Sequence, residues 1–186
     1  MPWHADNPDI GEKSYPIQCL RMVTCPNPTA GFTGFLNIET AWMELPTTVK
    51  DKWHTYTIEQ QSWYEAGSNI QNLSSVKIHP ITGKESPTVN HYNHGNVKDA
   101  WINNMIDSNG NQIGCKPMEE LIGMMERVPG CTYYHQWQEG DIIMYDNHAL
   151  LHNRTNLAIT QAEERLMWRI NVLHDPSTPL MPRIDH

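Results

Sequence analysis

Three groups of residues in this chain of 186 carry side chains suited to metal and anion chemistry. The first is Trp3-His4-Ala5-Asp6. On an extended segment residues i and i+2 point to the same side, so His4 and Asp6 can grip one metal ion together. An HxD pair alone recurs by chance, and its weight depends on a third ligand. The second group, Gly140 to His152 (GDIIMYDNHALLH), runs from an apolar strand through a polar turn to two histidines, His148 and His152. Either can complete two imidazoles and a carboxylate on one face of iron, an arrangement that leaves positions open for oxygen. The third group is Arg165-Leu166-Met167-Trp168-Arg169, whose two arginines share one face of a strand. A guanidinium is a planar fork that binds carboxylates bidentately, and the apolar residues between the arginines favour pairing with something acidic.

The elements that must position these groups are mostly strands. Residues 17–24 (IQCLRMVT) and 33–38 (TGFLNI) are strand-like, and Cys25-Pro26-Asn27-Pro28 is a turn between them. Glu39–Leu45 reads as helical, and Pro46-Thr47-Thr48 starts a second short helix through Trp53. From about Gly67 to Gly114 periodicity is weak; short strands are expected around HPITGK (79–84), followed by a long excursion of binding-loop type. The clearest helix is 117–127, with Pro117 in its first turn, Met118, Leu121, Ile122 and Met125 as its apolar stripe, and Pro129-Gly130 as its stop. Strands are expected again at 131–137, 141–145 and 165–173. Helices grouped between runs of strands, rather than alternating with them, predict a mainly β sandwich or barrel with helical insertions.

Composition narrows the function. The length suits a single domain, here residues 1–186. A net charge of -8 supplies no basic surplus to neutralise phosphates, so neither a nucleic-acid nor an anionic-membrane partner is expected. No apolar run approaches a bilayer span, and the N-terminus lacks the layout of a signal peptide. Cys19, Cys25, Cys115 and Cys131 form no CxxC pair, so reduced, packed thiols in a cytoplasmic protein are expected. The sequons at Asn72 and Asn153 carry no meaning there. His91 and His94 are read as part of a polar surface loop, and His174-Asp175 as a turn.

Taken as an ordered set, WHADN (3–7), TAGFTGFLNIETAW (29–42), HPITGK (79–84), WQEGDIIMYDNHALLH (137–152) and RLMWRINVLHD (165–175) resemble the taurine dioxygenase and 2,4-dichlorophenoxyacetate dioxygenase family of iron(II)/2-oxoglutarate enzymes. The resemblance implies a double-stranded β-helix, the cupin-like jelly roll. It implies Fe(II), 2-oxoglutarate and O2 as cofactor and cosubstrates, with His4, Asp6 and His152 as the iron ligands. The family spacing D-N-x-x-x-x-H selects His152 over His148, which is left facing solvent or standing behind the ligands. Arg165 and Thr33 fall where the family holds the far carboxylate of 2-oxoglutarate. Arg169, and Asn7 beside the HxD pair, fall where members with anionic substrates bind them.

The implied reaction converts 2-oxoglutarate to succinate and carbon dioxide while an unactivated C–H bond is oxidised, with Asp6 favouring hydroxylation over halogenation. The implied substrate is a small carboxylate, sulfonate or amino-acid-like molecule, free or carrier-bound, and a homo-oligomer is compatible with the composition. Family members carry a substantial segment before the HxD pair, whereas here the pair begins at residue 4; the chain is expected to lack that segment. A metal-binding jelly-roll module without turnover is the alternative of a different class.

Overall fold

The computed structural model describes residues 3–6, 16–61, 70–89, 102–155 and 164–172. In chain order its elements are β1 (Ile17–Thr24), β2 (Thr33–Asn37), α1 (Ile38–Glu44), α2 (Thr47–Trp53), β3 (Thr57–Gln61), β4 (Ile70–Ser74), β5 (Val76–Ile78), β6 (Glu85–Pro87), β7 (Ile102–Ile106), α3 (Lys116–Glu126), β8 (Thr132–His135), β9 (Ile142–Asp146), β10 (Leu150–Arg154) and β11 (Leu166–Val172). Two three-stranded antiparallel sheets, ordered β11-β1-β9 and β10-β2-β8, build the jelly roll. Leu20 and Met22 of β1, Phe35 of β2, Tyr145 of β9 and Trp137 fill the space between them as one apolar cluster. A third sheet, β4-β3-β7, and the hairpin β5-β6 lie outside this pair.

The two-residue side-chain period explains which faces are covered. On β2, Phe35 points between the sheets while Leu36, fully buried, points to the opposite face with its cross-strand partner Leu151. That opposite face belongs to the larger core with Trp42 of α1 and with Met118, Leu121, Ile122 and Met125 of α3. The apolar stripe read for α3 is therefore its buried face. Helix α1 starts cleanly because Asn37 Oδ1 accepts from Thr40 N at 2.9 Å, satisfying one of the free N–H groups of its first turn.

The start of the HxD motif joins this framework through an isolated antiparallel bridge to β10, an outer strand of its sheet. His4 exchanges both backbone hydrogen bonds with His152 (2.9 and 2.8 Å). Alternation then sends Trp3 and Ala5 into the helix-backed core and His4 and Asp6 to the face between the sheets. Trp3 is fixed at both ends: its indole N–H donates to Glu126 Oε1 at 2.5 Å, and its ring rests over Gly34. A Cβ at residue 34 would sit 2.9 Å from that ring and 2.4 Å from Asn153 Oδ1, so only glycine permits the approach.

The strands at the two ends of the sequence and the three helices form as read. Four strands were not anticipated, β4 (IQNLS) among them. β3 (TIEQQ) and β7 (INNMI) are too polar to alternate visibly, and β10 (LLHNR) begins with two adjacent apolar residues directly after a turn. β5 and β6 flank HPITGK as expected, whereas the excursion around His91 and His94, like His174-Asp175, lies outside the described residues. All four cysteines are free. No helix among the described residues is long and apolar enough to cross a membrane.

Candidate metal centre

His4, Asp6 and His152 converge. One ligand atom from each lies within 4.8 Å of the other two, near the span that a single ion bridges at metal–ligand distances of about 2.0–2.2 Å. His4 and His152 are opposite residues of an antiparallel pair, which puts their imidazoles on one face with ring centroids 4.1 Å apart. Asp6 Oδ1 stands 3.7 Å from His4 Nε2, and Asp6 Oδ2 stands 3.9 Å from His152 Nε2. These separations are too long for hydrogen bonds between the three side chains. His152 Nδ1 is buried and has no hydrogen-bond partner among the described residues. Two imidazoles and a carboxylate brought together in a largely buried site are a fitting donor set for a divalent transition metal.

The electrostatics keep the set ready to bind. Burial pushes the Asp6 carboxyl up, but His152, the hydrogen bond from Gln18, Arg169 and His4 together outweigh it, so the group is held below the ordinary carboxylate value. Burial is also the main cause that lowers His152, joined by His4 and Arg169 and opposed by Asp6; it titrates at about 3. At neutral pH the pair is therefore carboxylate and neutral imidazole, the protonation states that a metal requires.

The same shifts make a stability prediction for the metal-free protein. Between 6.5 and about 3 the unfolded His152 takes up a proton that the folded one refuses, so stability falls as pH falls through that window. Asp6 adds a loss of the same sign below 3.8. Melting curves in chelator should show a drop on the order of 2 kcal/mol between pH 6.5 and about 4.5, from 1.4 kcal/mol per unit. His152→Asn should flatten that limb, and an unchanged acid slope in the variant would refute the assignment.

Several residues behind the ligands were not singled out in the sequence, where Asn147 served only to mark the D-N-x-x-x-x-H spacing. Gln18, fully buried on β1, donates from Nε2 to Asp6 Oδ2 (3.0 Å) and to Asn171 Oδ1 (2.8 Å). Its Oε1 accepts from the Tyr145 hydroxyl at 2.5 Å, the orientation being fixed by the acceptor-only Asp6 carboxylate at Nε2. Burial, then the Asp6 carboxylate, raises the Tyr145 pKa far above its ordinary value, so the hydroxyl remains a donor. Asn147 is paired with the Asp6 backbone through both ends of its amide. These hydrogen bonds span 12 to 153 residues of sequence, and no local periodicity announces them.

Arg169 lies on the inward face of β11 with Met167, and Arg165 stands just before the strand, while Leu166 and Trp168 point outward and are exposed. Of the three apolar residues between the arginines, Leu166 and Trp168 thus belong to the other face of the strand and Met167 to the inward one. Arg165 donates to Gly31 O at 2.6 Å, two residues before Thr33, and its Nη2 is buried without a partner among the described residues. Burial acts against its charge, which leaves the guanidinium in want of an anion. Thr33 is buried, and its Oγ1 accepts from Trp137 Nε1 at 2.8 Å, so its hydrogen remains to be donated. Arg169 is more exposed and donates from Nη1 to Asp6 Oδ2 at 2.5 Å. Asn7 lies outside the described residues.

His148 is not brought to the ligands and does not face solvent as the sequence had left open. It is buried, with its ring edge-on to His79 at 5.7 Å. His79 Nε2 pairs with Asp146 Oδ2 at 2.9 Å and lies 4.0 Å from buried Glu39. Lys77 shares this cluster; burial lowers its amine to about 8, against the pull of Asp146 and Glu39. HPITGK thus contributes a polar brace beneath the turn between β9 and β10.

Over residues 1–171 the chain matches the family described as taurine catabolism dioxygenase TauD, TfdA family. The (S)-phenoxypropionate/alpha-ketoglutarate-dioxygenase of Sphingobium herbicidovorans is 24% identical over 96% of this chain and 64% of its own length. A taurine dioxygenase from Burkholderia xenovorans superposes with a TM-score of 0.70 at 19% identity, over 93% of this chain and 57% of that one. AAD-2, crystallised with Mn(II) and N-oxalylglycine, superposes with a TM-score of 0.69 at 20% identity, over 92% of this chain and 68% of its own. The chain thus spans 64% of the length of the Sphingobium relative.

Proposed function

The chain belongs to the TauD/TfdA dioxygenase family, and on that premise we propose that it is an iron(II)- and 2-oxoglutarate-dependent dioxygenase acting on a small anionic substrate. The observation that carries this reading is the convergence of His4, Asp6 and His152 between the sheets, on the same inward side as the unspent fork of Arg165. His4, Asp6 and His152 hold the iron. When bound, the metal supplies oxygen activation coupled to decarboxylation of 2-oxoglutarate.

The protein's own groups bind, orient and exclude water. Arg165 takes the far carboxylate of 2-oxoglutarate with the Nη2 that the fold leaves unpaired, and Thr33 donates its hydroxyl to the same group. Phe35, Tyr145 and Trp137 supply the apolar wall that strengthens these contacts. Arg169, at the more exposed end of the inward row, receives the carboxylate or sulfonate of the primary substrate, with Asn7 assigned alongside it. Hydroxylation is the proposed outcome, because Asp6 occupies the coordination position that a halide would need. The free thiols fit a cytoplasmic enzyme, and a homo-oligomer remains compatible with the exposed outer row of β11, Leu166, Trp168, Ile170 and Val172.

Anaerobic addition of iron(II) and then 2-oxoglutarate should produce a weak visible charge-transfer band that is absent with either alone. A folded protein giving no such band overturns the proposal. Succinate formed only with oxygen and an intact His152 separates turnover from a jelly roll that merely binds metal.

A further inference from the structure

We propose that Asn147 is a positioning residue that sets the metal-ligating Asp6 by pairing with its backbone as a neighbouring strand would; this rests on the metal centre proposed above. His4 is held by backbone pairing with His152. Asp6, two residues on, takes its pairing from a side chain. Its N–H donates to Asn147 Oδ1 at 3.1 Å, and its carbonyl accepts from Asn147 Nδ2 at 2.6 Å. A primary amide offers one acceptor and one donor at the spacing of a peptide group, so asparagine imitates the neighbouring strand that Asp6 otherwise lacks among the described residues. Aspartate keeps the acceptor but sets an anion against the Asp6 carbonyl; alanine keeps neither.

The amide is itself held from several directions. Asn147 is 2% exposed, and its own N–H donates to Pro16 O at 2.9 Å. The preceding Asp146 folds the turn by accepting from His148 N (2.8 Å) and Ala149 N (3.2 Å), while its other oxygen meets His79. The Asp-Asn pair between β9 and β10 thus divides its work: Asp146 shapes the turn and Asn147 clamps the ligand strand. The carboxylate end of Asp6 is steered separately by Gln18 and Arg169. Fixing the backbone removes the freedom with which Asp6 would otherwise swing away from His4 and His152, and supporting hydrogen bonds of this kind are worth 10–100-fold in metal affinity.

The test is Co(II) titration of the full chain, read through its d–d absorption, for the wild type, Asn147→Ala, Asn147→Asp and Leu121→Ala. Leu121 is buried in the helix-backed core, which lies on the face opposite the ligands, and controls for lost stability. Both Asn147 variants should bind Co(II) about 10–100-fold more weakly, with an altered d–d spectrum, while Leu121→Ala melts earlier and keeps wild-type affinity and spectrum. Wild-type affinity and spectrum in the Asn147 variants overturn the clamp, as does an equal loss of affinity in Leu121→Ala. Should Asn147→Ala not fold, Asn147→Asp, which matches asparagine in size, decides alone. A wild-type chain that binds no Co(II) overturns the metal centre itself, which separates the two failures.

Discussion

Asp6→Asn should abolish oxygen-dependent succinate formation while leaving a folded protein. The carboxylate is the anionic member of the donor set, and it balances Arg169 and accepts from Gln18. An amide of the same shape keeps an acceptor for Gln18 but gives the metal a neutral, weaker ligand. If the metal's contribution is about 4 kcal/mol, at 1.4 kcal/mol per tenfold, turnover falls by about 10³. His152→Ala should do the same by another route. Removing the ring costs packing against Tyr145, whose centroid is 5.3 Å away, but also removes a buried nitrogen that lacks a partner. A stranded polar group costs about 1–3 kcal/mol, comparable to the packing lost, so the melting temperature should change little. Succinate assays and thermal melts on both variants check this. Activity within tenfold of wild type in either would remove that residue from the centre, and collapse of the fold in both would mean that the cluster is structural.

The difference between what could and could not be read in the sequence follows from how each residue acts. His4 and Asp6 are legible because their shared direction depends on a two-residue period and nothing else, and the backbone pairing of His4 with His152 confirms that the segment is extended. Arg165 and Arg169 are legible on the same ground, although Leu166 and Trp168 between them belong to the outer face rather than to the site. The helix stripe of Met118, Leu121, Ile122 and Met125 is equally local. Gln18, Tyr145 and Asn147 act through hydrogen bonds that exist only after three strands and a turn have been brought together, and a glutamine in IQCLRMVT has no reason to be singled out beforehand. His148 and His152 stand four residues apart in the same chemistry. What parts them is that β10 starts at Leu150, so His152 alternates into the site while His148 stays in the turn above His79.

The arginine pair yields the second large effect, a separation of cosubstrate from substrate. Arg165→Ala should raise the 2-oxoglutarate concentration needed to saturate the charge-transfer band by about 10²–10³, the loss of two charge-assisted hydrogen bonds at about 1.5–3 kcal/mol each, partly offset by relief of a buried charge. Arg165→Lys should fall between, because an ammonium keeps the charge but not the fork. The same arginine contributes a bond to Gly31 O, so some loss of stability is expected; the band is read at saturating iron to isolate the cosubstrate. Arg169→Ala should behave differently. Its guanidinium rests on Asp6 rather than near Gly31, and more than half of its side chain is open to solvent, 54%. It should leave 2-oxoglutarate saturation within about threefold of wild type, since exposed pairs contribute about 1 kcal/mol or less. Its cost should appear in the coupling of 2-oxoglutarate consumption to oxidation of an anionic substrate, measured across a panel of small sulfonates, carboxylates and amino acids. A shift in 2-oxoglutarate affinity as large as that of Arg165→Ala would show that the two arginines serve one anion, and the substrate's charged group would then need another partner.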